Sequence, residues 1–320
     1  MTSEPTPRSP RGGVAYALAA YGMWGLVPLF WPLVARAGAV EILAHRIIWT
    51  LVPAILLLLT VVPRDRFRQL LTARRIGLLT AAAVTIAVNW GVYIWAVNHA
   101  HIVDAALGYY INPILSILLG VVILHERLSR IQWAAVGLAL AAVITLTIDY
   151  GRPPWIALTL AVSFATYGFL KKTVDGGAIE TLTIESALLL LPAVGYLVWL
   201  NAHGAMTFIR LGWSHSLLLV AGGLVTLVPL LCFAAAATRV PLSTVGLIQY
   251  LTPTVQFLLA VLVFGEQMSA GRWVGFGLVW VALMVLAGST LLRLGADRRA
   301  QASRTPQSKC SESVRSRFSS

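Results

Sequence analysis

Two stretches of the chain set hydrogen-bonding side chains beside prolines inside otherwise apolar runs: Gly108 to Leu115 reads GYYINPIL, and Leu247 to Thr254 reads LIQYLTPT. Proline removes an amide donor and clashes with the carbonyl four residues earlier, so Pro113 should free the carbonyl of Tyr109 and Pro253 that of Gln249. Asn112 and Thr252 add polar groups beside each proline, with Tyr110 and Tyr250 three residues before it. Unsatisfied groups in hydrocarbon are costly, and non-helical backbone is tolerated there only against protein, water or a ligand. The chemistry on offer is therefore binding, by amides, hydroxyls and freed carbonyls. Taken singly, each proline also fits a plain kink in a packed helix.

Other polar residues extend this set. In NWGVYIWAVNHAH, Asn89 and Tyr93 stand one helical turn apart on a shared face, which suits either a cavity wall or bonds to neighbouring helices. Trp24-Gly25 and Tyr167-Gly168 recur as an aromatic-glycine pair, as expected where backbone or ligand comes close beside a ring. Trp24, Tyr93, Tyr110, Tyr167 and Tyr250 could together line an aromatic cavity, although interfacial belts use the same residue types.

Three ionisable residues are candidates for gating or coupling: Arg46, Glu185 and Asp104. A central Arg or Asp costs about 2.5 to 3.5 kcal/mol to insert, so each calls for a reason. Arg46 and Glu185 occupy corresponding positions with opposite signs, yet at about 1.5 Å per residue they lie roughly 12 Å apart in depth. Each is expected to line its own vestibule, with Glu41 and His45 as local partners of Arg46. Glu185 is the candidate carrier of a coupling proton. Asp104 could titrate or cap a helix, Glu126 and Glu266 could cap helices or tie the next helix start, and Lys171 and Lys172 are expected to snorkel to the surface.

Catalytic chemistry is poorly supported. His99 and His101 are two residues apart and point to different helix faces, so with Asp104 they do not make a metal site. HERLS at His125 lacks the second histidine of a zinc protease, and no GxxxxGK[ST] phosphate loop occurs. No serine or cysteine pairs with a base. The chain reads as a non-enzyme without cofactor or metal.

The elements that must position these residues are membrane spans. Of 320 residues, 58% are hydrophobic and 11% charged, and a bilayer crossing takes roughly 20 apolar residues. Ten spans are expected, at 12–33, 42–62, 76–97, 103–124, 131–148, 154–172, 179–200, 216–237, 243–264 and 270–292. With the N-terminus placed in the cytoplasm, 19 Lys and Arg fall inside and 5 outside, so both termini are expected to be cytoplasmic. That sorting, rather than clustering on one solvated face, argues against nucleic acid as a partner despite a net charge of +12. Residues 1–11 and 296–320 read as disordered tails, the second basic enough to touch anionic lipid. Cys232 and Cys310 imply no disulfide framework.

Shifted by 140 residues, the sequence matches itself without a gap from Leu107 onward: Tyr110 meets Tyr250, Pro113 meets Pro253, Glu126 meets Glu266 and Trp133 meets Trp273. At 139, Glu41 meets Glu180 and Pro53 meets Pro192. The chain is thus two homologous halves, 12–148 and 153–293, of five spans each. An odd span number inverts the second half, and inverted repeats with broken helices near mid-membrane are the pattern of secondary transporters. Alternating access of a small organic solute follows, with protons as a candidate coupling ion. A sensor or scaffold without flux, or a membrane-embedded enzyme, are the alternatives. Gly271, Gly275 and Gly277 offer close packing, internal or in a homodimer.

EILAHRIIWT, NWGVYIWAVN, LGYYINP and HERLSRIQW, with the ten spans and the repeat, resemble the RarD subgroup of EamA-type permeases in the drug/metabolite transporter superfamily. The resemblance covers residues 12 to about 293. It implies an all-α inner-membrane permease of two inverted five-helix EamA-like repeats, with a central cavity drawing on Trp24, Asn89, Tyr93, Asn112, Tyr167, Gln249 and Thr252. One departure is His125-Glu126 where the second repeat keeps the superfamily's Gly265-Glu266.

Overall fold

The computed structural model describes residues 10–124 and 128–288; His125 and Glu126 lie outside them. Helix α1 (Pro10–Leu26) gives way to two 3-10 segments, Val27–Leu29 and Trp31–Ala37, and then to α2 (Gly38–Val61). The short α3 (Arg64–Arg68) precedes α4 (Ala73–Asn98), α5 (Ile102–Leu124) and α6 (Arg130–Tyr150). The second half follows with α7 (Trp155–Val174), α8 (Ala178–Ala202), α9 (Trp213–Ala237), α10 (Leu242–Ile248), α11 (Leu251–Leu258) continued by a π turn (Leu259–Val263), and α12 (Ala270–Gly288).

Among the described residues, nine segments are long and apolar enough to cross a membrane. The 20-residue α7 is not one of them, because Thr159, Ser163, Thr166, Lys171 and Lys172 lower its hydropathy. It lies along α4 and α5, so ten crossings require α7 to span with its polar groups against protein rather than lipid. The first expected span is corrected: its α-helix ends at Leu26, because Pro28 and Pro32 turn the chain into 3-10 segments.

Side-chain placement is that of a multi-pass membrane protein. Leu191 and Ile148 are 82% and 77% exposed, whereas Asn89 is 0% and Glu185 2% exposed. Apolar side chains facing outward suit lipid, and polar ones facing inward avoid it.

Helix pairing is unchanged when the halves are exchanged. α1 lies on α9 and α11 while α7 lies on α4 and α5, α2 meets α8, and α5 meets α11. Two close approaches fix this arrangement. A Cβ on Gly108 would stand 2.8 Å from the Ala157 carbonyl oxygen of α7, and one on Gly25 would stand 2.7 Å from Val255 Cβ of α11. Gly271 and Gly275 pack internally against Asp149 and Leu146 of α6.

The two proline sites differ. α5 runs as one helix through Pro113, which corrects the expected break there: α5 is held along its length by α4, α7 and α11, and the loss of one hydrogen bond does not interrupt it. In the second half α10 passes into α11 through Gln249 and Tyr250, both right-handed helical, with one tightened turn in which the carbonyl of Gln249 accepts from Thr252 N at 3.2 Å.

Candidate functional site

A file of polar and aromatic side chains runs along the interface between the halves. On α4, Asn89 donates through Nδ2 to the Leu160 carbonyl and to Ser163 Oγ, both at 3.0 Å, and accepts from Tyr109 OH at 3.1 Å. Tyr93, one turn on, accepts from Gln256 Nε2 at 2.9 Å, and the same nitrogen reaches the Trp24 carbonyl at 3.2 Å. The rings of Tyr93 and Tyr109 are 5.7 Å apart, Tyr109 meets Phe164, and Phe164 meets Tyr167. Tyr167 OH donates to Glu185 Oε2 at 3.1 Å, and Lys171 Nζ lies 2.8 Å from Glu185 Oε1 and also bonds Thr181 Oγ1.

Lys171 therefore turns inward, correcting its expected snorkelling; a buried carboxylate attracts the ammonium more strongly than the surface does. Lys172 is exposed. Arg46 is likewise not partnered by Glu41 or His45. Glu41 accepts from the Thr207 and Phe208 amides at 2.8 and 3.2 Å, and His45 stacks on Phe208 and accepts from Trp49 Nε1 at 3.2 Å. Arg46 instead donates from Nε to Thr226 Oγ1 at 2.6 Å and lies over Trp90 at 3.9 Å.

The remaining candidates are dispersed. Tyr110 OH and Thr254 Oγ1 are bonded at 2.8 Å and, with Tyr250, Phe257 and Trp280, line an apolar cavity of about 430 Å³ between α5, α11 and α12. Thr252 Oγ1 donates to the Tyr21 carbonyl at 2.7 Å and so ties α11 to α1. Asn112 Oδ1 is buried without a hydrogen-bond partner among the described residues. Gln249 and Tyr250 form the turn that joins α10 to α11, and Trp24 packs edge-on to Tyr21. Asp104 stands apart, accepting from Tyr150 OH at 2.5 Å beside His101 Nδ1 at 3.2 Å. Among the described residues no group of three or more His, Cys, Asp or Glu side chains could hold a metal.

Glu266 caps a helix of the opposite half rather than the next one, taking the Ile102 and Val103 amides of α5 at 2.6 and 2.9 Å. Burial raises its carboxyl above the ordinary range, against the opposing pull of those two amides. Gln256 and Ser163 went unnoticed as functional residues in the sequence, although a glutamine amid a span is a signal in itself.

A buried polar file between two like halves of a multi-pass protein defines the membrane-permease class. The chain belongs to the EamA-like transporter family, whose profile matches residues 11–148 and 153–288, and within it is of the RarD type. It is 56% identical over 282 residues to "Protein RarD" of Streptomyces exfoliatus, covering 88% of this chain and 90% of that one. It is 39% identical over 305 residues to an "Uncharacterized transporter" of Vibrio cholerae, covering 94% and 100%. These relatives are named as transporters or by family, not as enzymes. A solved crystal structure superposes with a TM-score of 0.59 at 18% identity, over 89% of this chain and 99% of that one, which establishes likeness of fold.

Proposed function

We propose that this protein is a secondary permease of the plasma membrane, with both termini cytoplasmic, that moves a small organic solute by alternating access along the interface between its halves. The observation that carries the reading is the exchange symmetry of the helix pairing: α1 lies on α9 and α11 as α7 lies on α4 and α5, and α2 meets α8 as α5 meets α11. Inverted repeats packed in this way can adopt two forms, one open to each side, and exchanging the conformations of the halves exchanges the open side. Protons are the proposed coupling ion, with Glu185 as their carrier.

The test is flux. Purified protein reconstituted into liposomes should move solutes from a metabolite and drug panel saturably, and solutes that are moved should also raise its melting temperature. Solutes that stabilise the protein without crossing the liposome membrane would support a sensor or scaffold instead.

A further inference from the structure

Arg46 is the one member of the buried file whose charge is left open. Its repeat counterpart Glu185 is neutralised by Lys171 at 2.8 Å, whereas no carboxylate lies within 4.0 Å of Arg46 among the described residues. The reason is visible in the sequence: aligning Trp24-Gly25 with Tyr167-Gly168 puts Pro28 where the second half has Lys171, so α1 supplies no counter-charge. Glu41, the acid nearest on its own helix, is occupied by the Thr207 and Phe208 amides.

What surrounds the guanidinium is suited to an anion. Arg46 is 7% exposed and, among the described residues, hydrogen-bonds through Nε to Thr226, with no acceptor for the Nη edge of the fork. Trp90 lies 3.9 Å and Trp31 5.4 Å from its central carbon. Those rings offset part of the cost of a buried cation but do not cancel its charge. The Trp31 indole N–H is a second buried donor with no hydrogen-bond partner among the described residues, and Trp31 is 1% exposed. The guanidinium thus carries an uncompensated charge and an unused donor edge beside an indole whose N–H also has no acceptor among the described residues.

We propose that Arg46 and Trp31 form a carboxylate subsite, and that the solute is an organic monoanion held through its carboxylate by the guanidinium fork. The inference rests on the permease reading and narrows its substrate class. An arginine edge presents two parallel N–H donors at the spacing of the two carboxylate oxygens, which a neutral amide cannot match.

The experiment compares shape-matched acids and amides, benzoate with benzamide and hexanoate with hexanamide, on the purified full-length protein. Melting temperature and tryptophan fluorescence report binding, and liposome flux is measured in parallel. The acids should stabilise the protein and perturb its fluorescence at millimolar concentration while the amides do neither. Arg46→Gln should weaken acid binding by about tenfold or more, the expected effect of losing a charged hydrogen bond. Trp31→Phe, which keeps the ring and removes the donor, should weaken it several-fold and supplies the answer if Arg46→Gln fails to fold. Equal binding of acid and amide, no binding of either acid, or full acid preference in the folded variants overturns the subsite. Flux of amides without acid preference leaves the permease reading standing and removes this one; acid binding that depends on Arg46 without any flux does the reverse.

Discussion

Lys171, Glu185 and Tyr167 form a closed set of charge and hydrogen bonds at one end of the file, and removing one member exposes the others. Glu185→Gln or Lys171→Met alone leaves a buried charge uncompensated, at a cost of about 3–5 kcal/mol. The double variant Lys171→Met/Glu185→Leu should recover most of that loss in a thermal melt, since an apolar pair of similar volume needs no compensation. If Glu185 also carries the coupling proton, the double variant should retain downhill flux and lose accumulation driven by a pH gradient. Asn89 has both amide hydrogens and its oxygen engaged, so Asn89→Ala should lower stability by about 1–3 kcal/mol through the partners left unpaired. Asn89 and Tyr93 were legible in the sequence because they share one polar helical face. The partners of Gln256 were not: Tyr93 OH and the Trp24 carbonyl are 163 and 232 residues away along the chain. Long-range pairing of this kind leaves no periodicity to read.

Between elements, acidic side chains of each half hold backbone or loops of the other. Glu41 takes the Thr207 and Phe208 amides before α9, and its repeat counterpart Glu180 meets Arg66 Nε of α3 at 3.2 Å. Glu266 takes the first amides of α5, where a carboxylate also suits the helix dipole. Its carboxyl lies above the ordinary 4.5, so the folded protein holds that proton more tightly than the unfolded chain. Stability from this group is therefore present at low pH and lost as pH rises through the interval above 4.5. Melting temperatures should fall across that interval in the wild type and less steeply in Glu266→Gln. The glycines separate in the same assay. Gly108→Ala forces a methyl group against the Ala157 carbonyl and should cost about 1–3 kcal/mol, whereas Gly168, with nothing within 4 Å, should tolerate alanine and gain up to about 1 kcal/mol of helix propensity. Sequence pattern proposed Gly25 and Gly168 as close approaches from their neighbouring aromatics, yet only Gly25 meets a facing helix, at Val255 Cβ; the packing of a specific facing helix distinguishes them.

At the scale of the molecule, the repeat was readable because the two halves still align without a gap around Pro113 and Pro253. The tightened turn at Gln249 and Tyr250, where Thr252 N donates to the Gln249 carbonyl, was not readable, since nearly the same local sequence runs as unbroken α-helix in α5. A turn that differs between equivalent sequences is a property of the state, not of the segment. Exchange of states would then relax the turn between α10 and α11 and tighten α5 at Pro113. Pro113→Ala should therefore leave the melting temperature of this state unchanged or raised, because it restores one helical hydrogen bond. It should nevertheless slow flux in liposomes by penalising the alternative state, as an equilibrium shift of about 1.4 kcal/mol lowers that state's population tenfold. Pro253→Ala should act oppositely, weakening the present state by favouring a regular α-helical turn between α10 and α11. Cysteine pairs placed across α5–α7 and α1–α11 would show the shift as reciprocal changes in cross-linking. If both proline variants change flux and cross-linking in the same direction, exchange between the halves is not how the molecule moves.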